Sequence, residues 1–171
     1  VLCADSTDGA GLMEDLISKD LNVKGSNIVV LGAGGSSKAI LPSLLKAEPK
    51  EVIIVNRTIS KAKNLAEIYN NDKVKVSHGS LIDEVPFEID GLINTTSAGL
   101  LGQELTYPKN LFHFNPWSYD LSYGEKTTEF NELAIKNNIS RVHDGLGMLF
   151  RQAALSLKIW TGLKPNAEEA M

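Results

Sequence analysis

Apolar positions fall in two rhythms along the chain. "NIVVL" (27–31) and "EVIIVN" (51–56) are continuous apolar runs of strand length, the pattern of strands covered on both faces. Weaker strands are expected at "KVKVS" (73–77), "DGLIN" (90–94), "WSYDL" (117–121) and "SRVH" (140–143). Between them the spacing turns helical. Residues 9–21 place Leu12, Leu16 and Ile17 on one face with Leu21 closing it. Helices are also expected over 36–47, 60–69, 127–137 and 147–160, the last stopping at Gly162. Ser36 or Ser37 should cap the second helix, and Pro42 should kink it. Residues 165–171 read as a polar tail or a short helix that needs an outside contact. Alternation of strand and helix predicts an α/β fold with a mainly parallel, six-stranded, doubly wound sheet and helices on both faces.

Composition narrows the function classes. At 171 residues the chain can bury one real core, and 43% hydrophobic with 22% charged is ordinary globular usage. A net charge of −4 and a pI near 5.4 argue against a nucleic-acid partner. No apolar run approaches the roughly 18 residues of a membrane span, so a soluble protein without a membrane partner is expected. Cys3 is the only cysteine, which excludes an intrachain disulfide and suits a reducing, cytoplasmic setting. The chain opens at Val1, in what reads as mid-strand, and is expected to be a piece of something longer.

The chemistry starts at "VVLGAGGSSKAI" (29–40). Strand, then Gly32-Ala33-Gly34, then helix is the order of a Rossmann-like dinucleotide site. Gly32 permits the turn, Gly34 admits a pyrophosphate close to the backbone, and the N–H groups at the helix start, from Gly35 and Ser36, face the anion. Ser37 stands where the third glycine of the fingerprint usually falls. The alternative is a glycine-rich turn without a ligand. The second strand selects the nucleotide: a site for NAD normally ends it with an acid, whereas this one ends Asn56, Arg57, Thr58, followed by Lys61. A carboxylate would repel a ribose 2′-phosphate, and a guanidinium binds it, so NADP (NADPH) is the expected cofactor.

Together these stretches resemble the shikimate dehydrogenase family. "STDGAGL" (6–12) resembles its Asn-Thr-Asp-Gly motif with Ser6 in place of Asn, and "NRTISKA" (56–62) is similar to its NADP-phosphate motif. "NTTSAGL" (94–100), which contributes Thr96, resembles the loop after its fourth strand, on the nicotinamide side. "YDLSYGEKTTEF" (119–130) and "DGLGMLFRQAA" (144–154) are similar to its C-terminal signatures. The resemblance implies reversible reduction of 3-dehydroshikimate to shikimate with NADPH, on the route to chorismate and aromatic amino acids. Asp8 falls on the acid of a catalytic Lys–Asp pair whose lysine lies in a domain outside this chain, so the chain alone should be inactive. Asp8, Tyr123 and Gln152 match substrate-binding positions, and Leu121 (usually Met), Gly145 and Met148 match positions lining the nicotinamide. Without the resemblance, Asp8 would read as a helix N-cap, Tyr123 as a strand tyrosine and Gln152 as a helix-surface residue.

The implied domains are 1–24 (end of a substrate domain and a connecting helix), 25–145 (NADP-binding) and 146–171 (a helix returning to the interface). Both interface helices should have partly uncovered apolar faces. The partners reduce to a small-molecule substrate and, at most, a second copy in a homodimer. Two alternatives stand: a quinate/shikimate dehydrogenase of broader cofactor use, and a non-catalytic dinucleotide sensor. His78, His113 and His143 are too scattered for a metal site, Trp117 and Trp160 read as packing, and Ser97 lacks the context of a hydrolase nucleophile.

Overall fold

The computed structural model describes residues 6–97, 106–163 and 165; the expected strand at the start of the chain with Cys3, the end of the 94–100 stretch and most of 165–171 lie outside them. The described residues build strands β1 (Asn27–Leu31), β2 (Glu51–Val55), β3 (Lys75–Gly79), β4 (Gly91–Asn94), β5 (Trp117–Asp120) and β6 (Val142–His143). Helices are α1 (Asp8–Ser18), α2 (Gly35–Lys46), α3 (Ile59–Tyr69), α4 (Glu129–Lys136) and α5 (Leu146–Thr161). The strands form one sheet in the order β3-β2-β1-β4-β5-β6, with every pairing parallel. The order reverses between β1 and β4, which opens a crevice at the carboxyl ends of these strands.

Residue parity divides the core. Ile28, Val30, Val52, Ile54, Ile93 and Tyr119 face α1, α2 and α3, whereas Val29, Leu31, Ile53, Val55 and Leu92 face Phe130 of α4 and the irregular segment carrying Leu81, Val85 and Ile89. Both faces of the central strands are therefore apolar, which is why they read as unbroken runs.

Five local expectations need correction. α1 stops at Ser18, not 21: Asp20 turns to φ 53° and Leu21 N–H returns to the Leu16 carbonyl. Asp8 is the first helical residue rather than the cap, which is Thr7. Neither Ser36 nor Ser37 caps α2; Gly34 does, with no side-chain bond, while Ser37 is buried and donates to the Gly32 carbonyl at 2.9 Å. β3 begins at Lys75 because the Asn71 side chain accepts from the Lys73 and Val74 N–H groups and holds them in a turn. Trp117 is buried, with its indole donating to the Asn22 carbonyl, but Trp160 is 79% exposed near the end of α5 and packs no core.

Candidate functional site

The carboxyl edge of the sheet continues past its strands as a ladder of single bonds. Gly32 N–H donates to Val55 O, Thr95 N–H to Leu31 O, and Leu121 N–H to Asn94 O. Three successive strand ends thereby set Gly32, Thr95 and Leu121 along one rim.

Gly32 has φ +107°, and a side chain there would strike the Thr95 hydroxyl, so the chain itself demands glycine. Gly34 differs. Its backbone is extended (φ −95°, ψ −161°), which any residue adopts, and a Cβ there or on Gly35 would meet no atom within 4 Å. Neither conformation nor packing requires glycine at these positions; they leave a bare backbone at an α2 N-terminus that no side chain caps. Such a cradle fits a pyrophosphate. Gly34→Ala should therefore change the unfolding free energy by no more than about 1 kcal/mol while weakening dinucleotide binding roughly tenfold or more. Paired thermal melts and cofactor titrations check this; equal binding by both forms would contradict it. Ala33 follows, half-buried, and Ser36 is exposed.

Asn56, Arg57, Thr58 and Lys61 lie at the same edge, beyond β2 and one strand from the cradle. Asn56 donates to the Thr58 carbonyl at 3.0 Å, which shapes the turn, while the Arg57, Thr58 and Lys61 side chains are exposed.

On the other side of the cradle a cleft of about 170 Å³ is lined by Asp8, Ser36, Leu121, Tyr123, Gly145, Met148, Leu149 and Gln152. These come from α1, the start of α2, the segment after β5, and α5. Gly145, Met148, Leu149 and Gln152 follow the i, i+3, i+4, i+7 stripe of one helix face. That spacing could have revealed Leu149, which the motif reading omitted. Thr7 was missed as well: its hydroxyl donates to Gln152 Oε1 at 3.2 Å and lies 2.9 Å from Ser156 Oγ, fixing the glutamine from α1. The glycine at 145 has a reason within the chain, because a side chain there would strike the Leu121 carbonyl.

Thr96 lines a different hollow. A pocket of about 760 Å³ includes Asn94, Thr96, Tyr107, Asp120, Tyr123 and Thr128, so Tyr123 stands between the two. Thr96 bonds Asn94 Oδ1 at 2.8 Å, and Asn94 donates to Asp120 Oδ1 at 3.0 Å. Burial raises the Asp120 carboxyl above its usual range against hydrogen bonds from Thr128, Ser122 and Asn94, and burial pushes the Tyr107 phenol up to about 12. Among the histidines, His78 sits in β3, His113 in a turn and His143 in β6.

The family description "Shikimate / quinate 5-dehydrogenase" matches residues 10–101, more than half of the chain. The chain belongs to this family. A second description, "Shikimate 5'-dehydrogenase C-terminal domain", matches residues 145–171 of this shikimate / quinate dehydrogenase family member. It is 38% identical over 174 residues to the shikimate dehydrogenase (NADP(+)) of Vibrio atlanticus, covering 99% of this chain and 61% of that protein. It is 39% identical over 171 residues to that of Psychromonas ingrahamii, covering 100% and 62%. Among solved structures, shikimate 5-dehydrogenase from Thermus thermophilus, in complex with NADP(H) and shikimate, superposes with a TM-score of 0.77 at 31% identity, covering 95% of this chain and 59% of that one. The chain thus spans about three-fifths of the length of these relatives.

Proposed function

We propose that this chain is the nucleotide-binding part of an NADP-dependent enzyme that interconverts 3-dehydroshikimate and shikimate. One observation carries the reading: Asp8, Tyr123 and Gln152, the residues matched to substrate contacts, and Leu121, Gly145 and Met148, matched to the nicotinamide, line one cleft that Ser36 joins to the glycine cradle. NADPH, when bound, supplies the hydride that reduces the ring ketone.

Gly34, Gly35 and the α2 N-terminus hold the pyrophosphate, and Arg57, with Thr58, Lys61 and Asn56, takes the 2′-phosphate. Thr96 borders the path of the cofactor beyond β4. Leu121, Met148 and Leu149 give the nicotinamide a dry apolar wall. Gln152, its carbonyl oxygen engaged by Thr7, offers amide N–H donors to the substrate carboxylate, and the Tyr123 hydroxyl bonds the substrate. Asp8 holds and tunes a lysine that exchanges the alcohol proton. No lysine lines the cleft among the described residues, and the reading takes this partner from a substrate domain outside the chain, to which residues 1–24 and 146–171 connect the NADP-binding body. The reading includes a cytoplasmic setting and, beyond the small-molecule substrate, at most a second copy of the chain as partner.

Fluorescence titration with both reduced cofactors, and the disappearance of NADPH with 3-dehydroshikimate, test it. Expected are tighter binding of NADPH by about tenfold or more and no turnover by this chain alone. Equal affinity for NADH would overturn the cofactor assignment, and turnover would overturn the outside lysine.

A further inference from the structure

Asp15 is fully buried between α1, α5 and β5, 7 residues along α1 from Asp8. Its carboxylate accepts from Lys19 Nζ at 2.8 Å on both oxygens, from Arg151 Nε at 3.2 Å on Oδ1, and from the Tyr119 hydroxyl at 2.7 Å on Oδ2. Tyr119 is itself fully buried. Gly147 seats directly on the same carboxylate, where a Cβ would collide with it.

Two features of α5 therefore converge on one acid: Gly147 by close approach and Arg151 by its guanidinium. Two of the positions next to these contacts, Met148 and Gln152, line the cleft. None of the clamping groups reaches the cleft itself.

We propose that Asp15 and Tyr119 form a positioning clamp that fixes the first two turns of α5, and through them sets Met148 and Gln152 against the nicotinamide and the substrate. The inference rests on the cofactor reading above for what the clamped residues touch, and on the buried contacts alone for the clamp itself. Tyr119 and Asp15 touch neither ligand; they act through α5. A hydroxyl on a buried ring is a convenient handle, because Tyr119→Phe removes its bond to Asp15 while keeping the ring volume.

The experiment uses this chain and its Tyr119→Phe form, with two ligands that share the adenine end: NADPH, and 2′-phospho-ADP-ribose, which lacks the nicotinamide. The variant should bind NADPH about fivefold to tenfold more weakly and 2′-phospho-ADP-ribose within about twofold of the parent. In the unliganded protein, amide exchange at Leu149, whose N–H bonds the Gly145 carbonyl at the start of α5, should rise about tenfold more than at Val30 in the central strand. Equal loss of both ligands, or Leu149 exchange that follows Val30, would overturn the clamp. A parent chain that binds neither ligand would overturn the cofactor reading, and the exchange rates would then decide the clamp alone.

Discussion

Asp15→Asn should lower the stability of the chain by about 3 kcal/mol or slightly more, the scale for stripping one partner from a buried ion pair. Asparagine fills the same space beside Gly147, so the loss reports the charge rather than a cavity. Arg151, with only 12% of its side chain in solvent, would lose the carboxylate that its Nε donates to, whereas Lys19, 27% exposed, can turn outward. For a chain of this length the midpoint of thermal unfolding should fall by about 6–12 °C. Burial raises the Asp15 carboxyl, but the bonds from Lys19, Tyr119 and Arg151 more than offset it and hold the group below its ordinary value of 3.8. Its contribution is therefore fully present above that pH and is lost as pH falls through the lower folded value. The gap between parent and variant should stay constant from neutrality down to about pH 4 and close only below it. A gap that closed near pH 6 would implicate a histidine instead.

Arg57→Ala should weaken NADPH binding by about tenfold to a hundredfold, corresponding to roughly 1.5–3 kcal/mol for a charge-assisted bond to phosphate. NADH, which carries no 2′-phosphate, should bind within about twofold of the parent. Because the guanidinium is exposed, the difference should also shrink with added salt. Parallel titrations of both cofactors at two ionic strengths measure all three effects. Equal weakening of NADH would mean that Arg57 shapes the loop rather than recognising the phosphate.

The two properties that these variants probe were not equally visible in the sequence. Arg57 was legible because it follows an unbroken apolar strand and a glycine cradle one strand earlier, so order alone placed it at the right edge. The parallel sheet was legible for the same reason, since β1, β2 and β4 are apolar on both faces. The Asp15 cluster was not. Its partners Tyr119 and Arg151 lie 104 and 136 residues away, and on a helical wheel Asp15 looks like an ordinary solvated acid. The end of α1 and the start of β3 were misjudged because the deciding contacts, a backward bond from Leu21 and two bonds into Asn71, leave no trace in hydrophobic spacing. Leu149 lay within reach of spacing alone, being one turn before Gln152.

The crossing of α1 and α5 has a mechanical consequence. A side chain at Gly11 would sit 2.7 Å from Gln152 Cβ, and one at Gly147 would overlap the Asp15 carboxylate, so at both points the two helices interlock with no methyl-sized slack. Sliding or twisting one helix on the other would first have to pull them apart. Any opening and closing around Asp8 and Gln152 must carry the two helices as a single lever, with its hinge in the connections at either end.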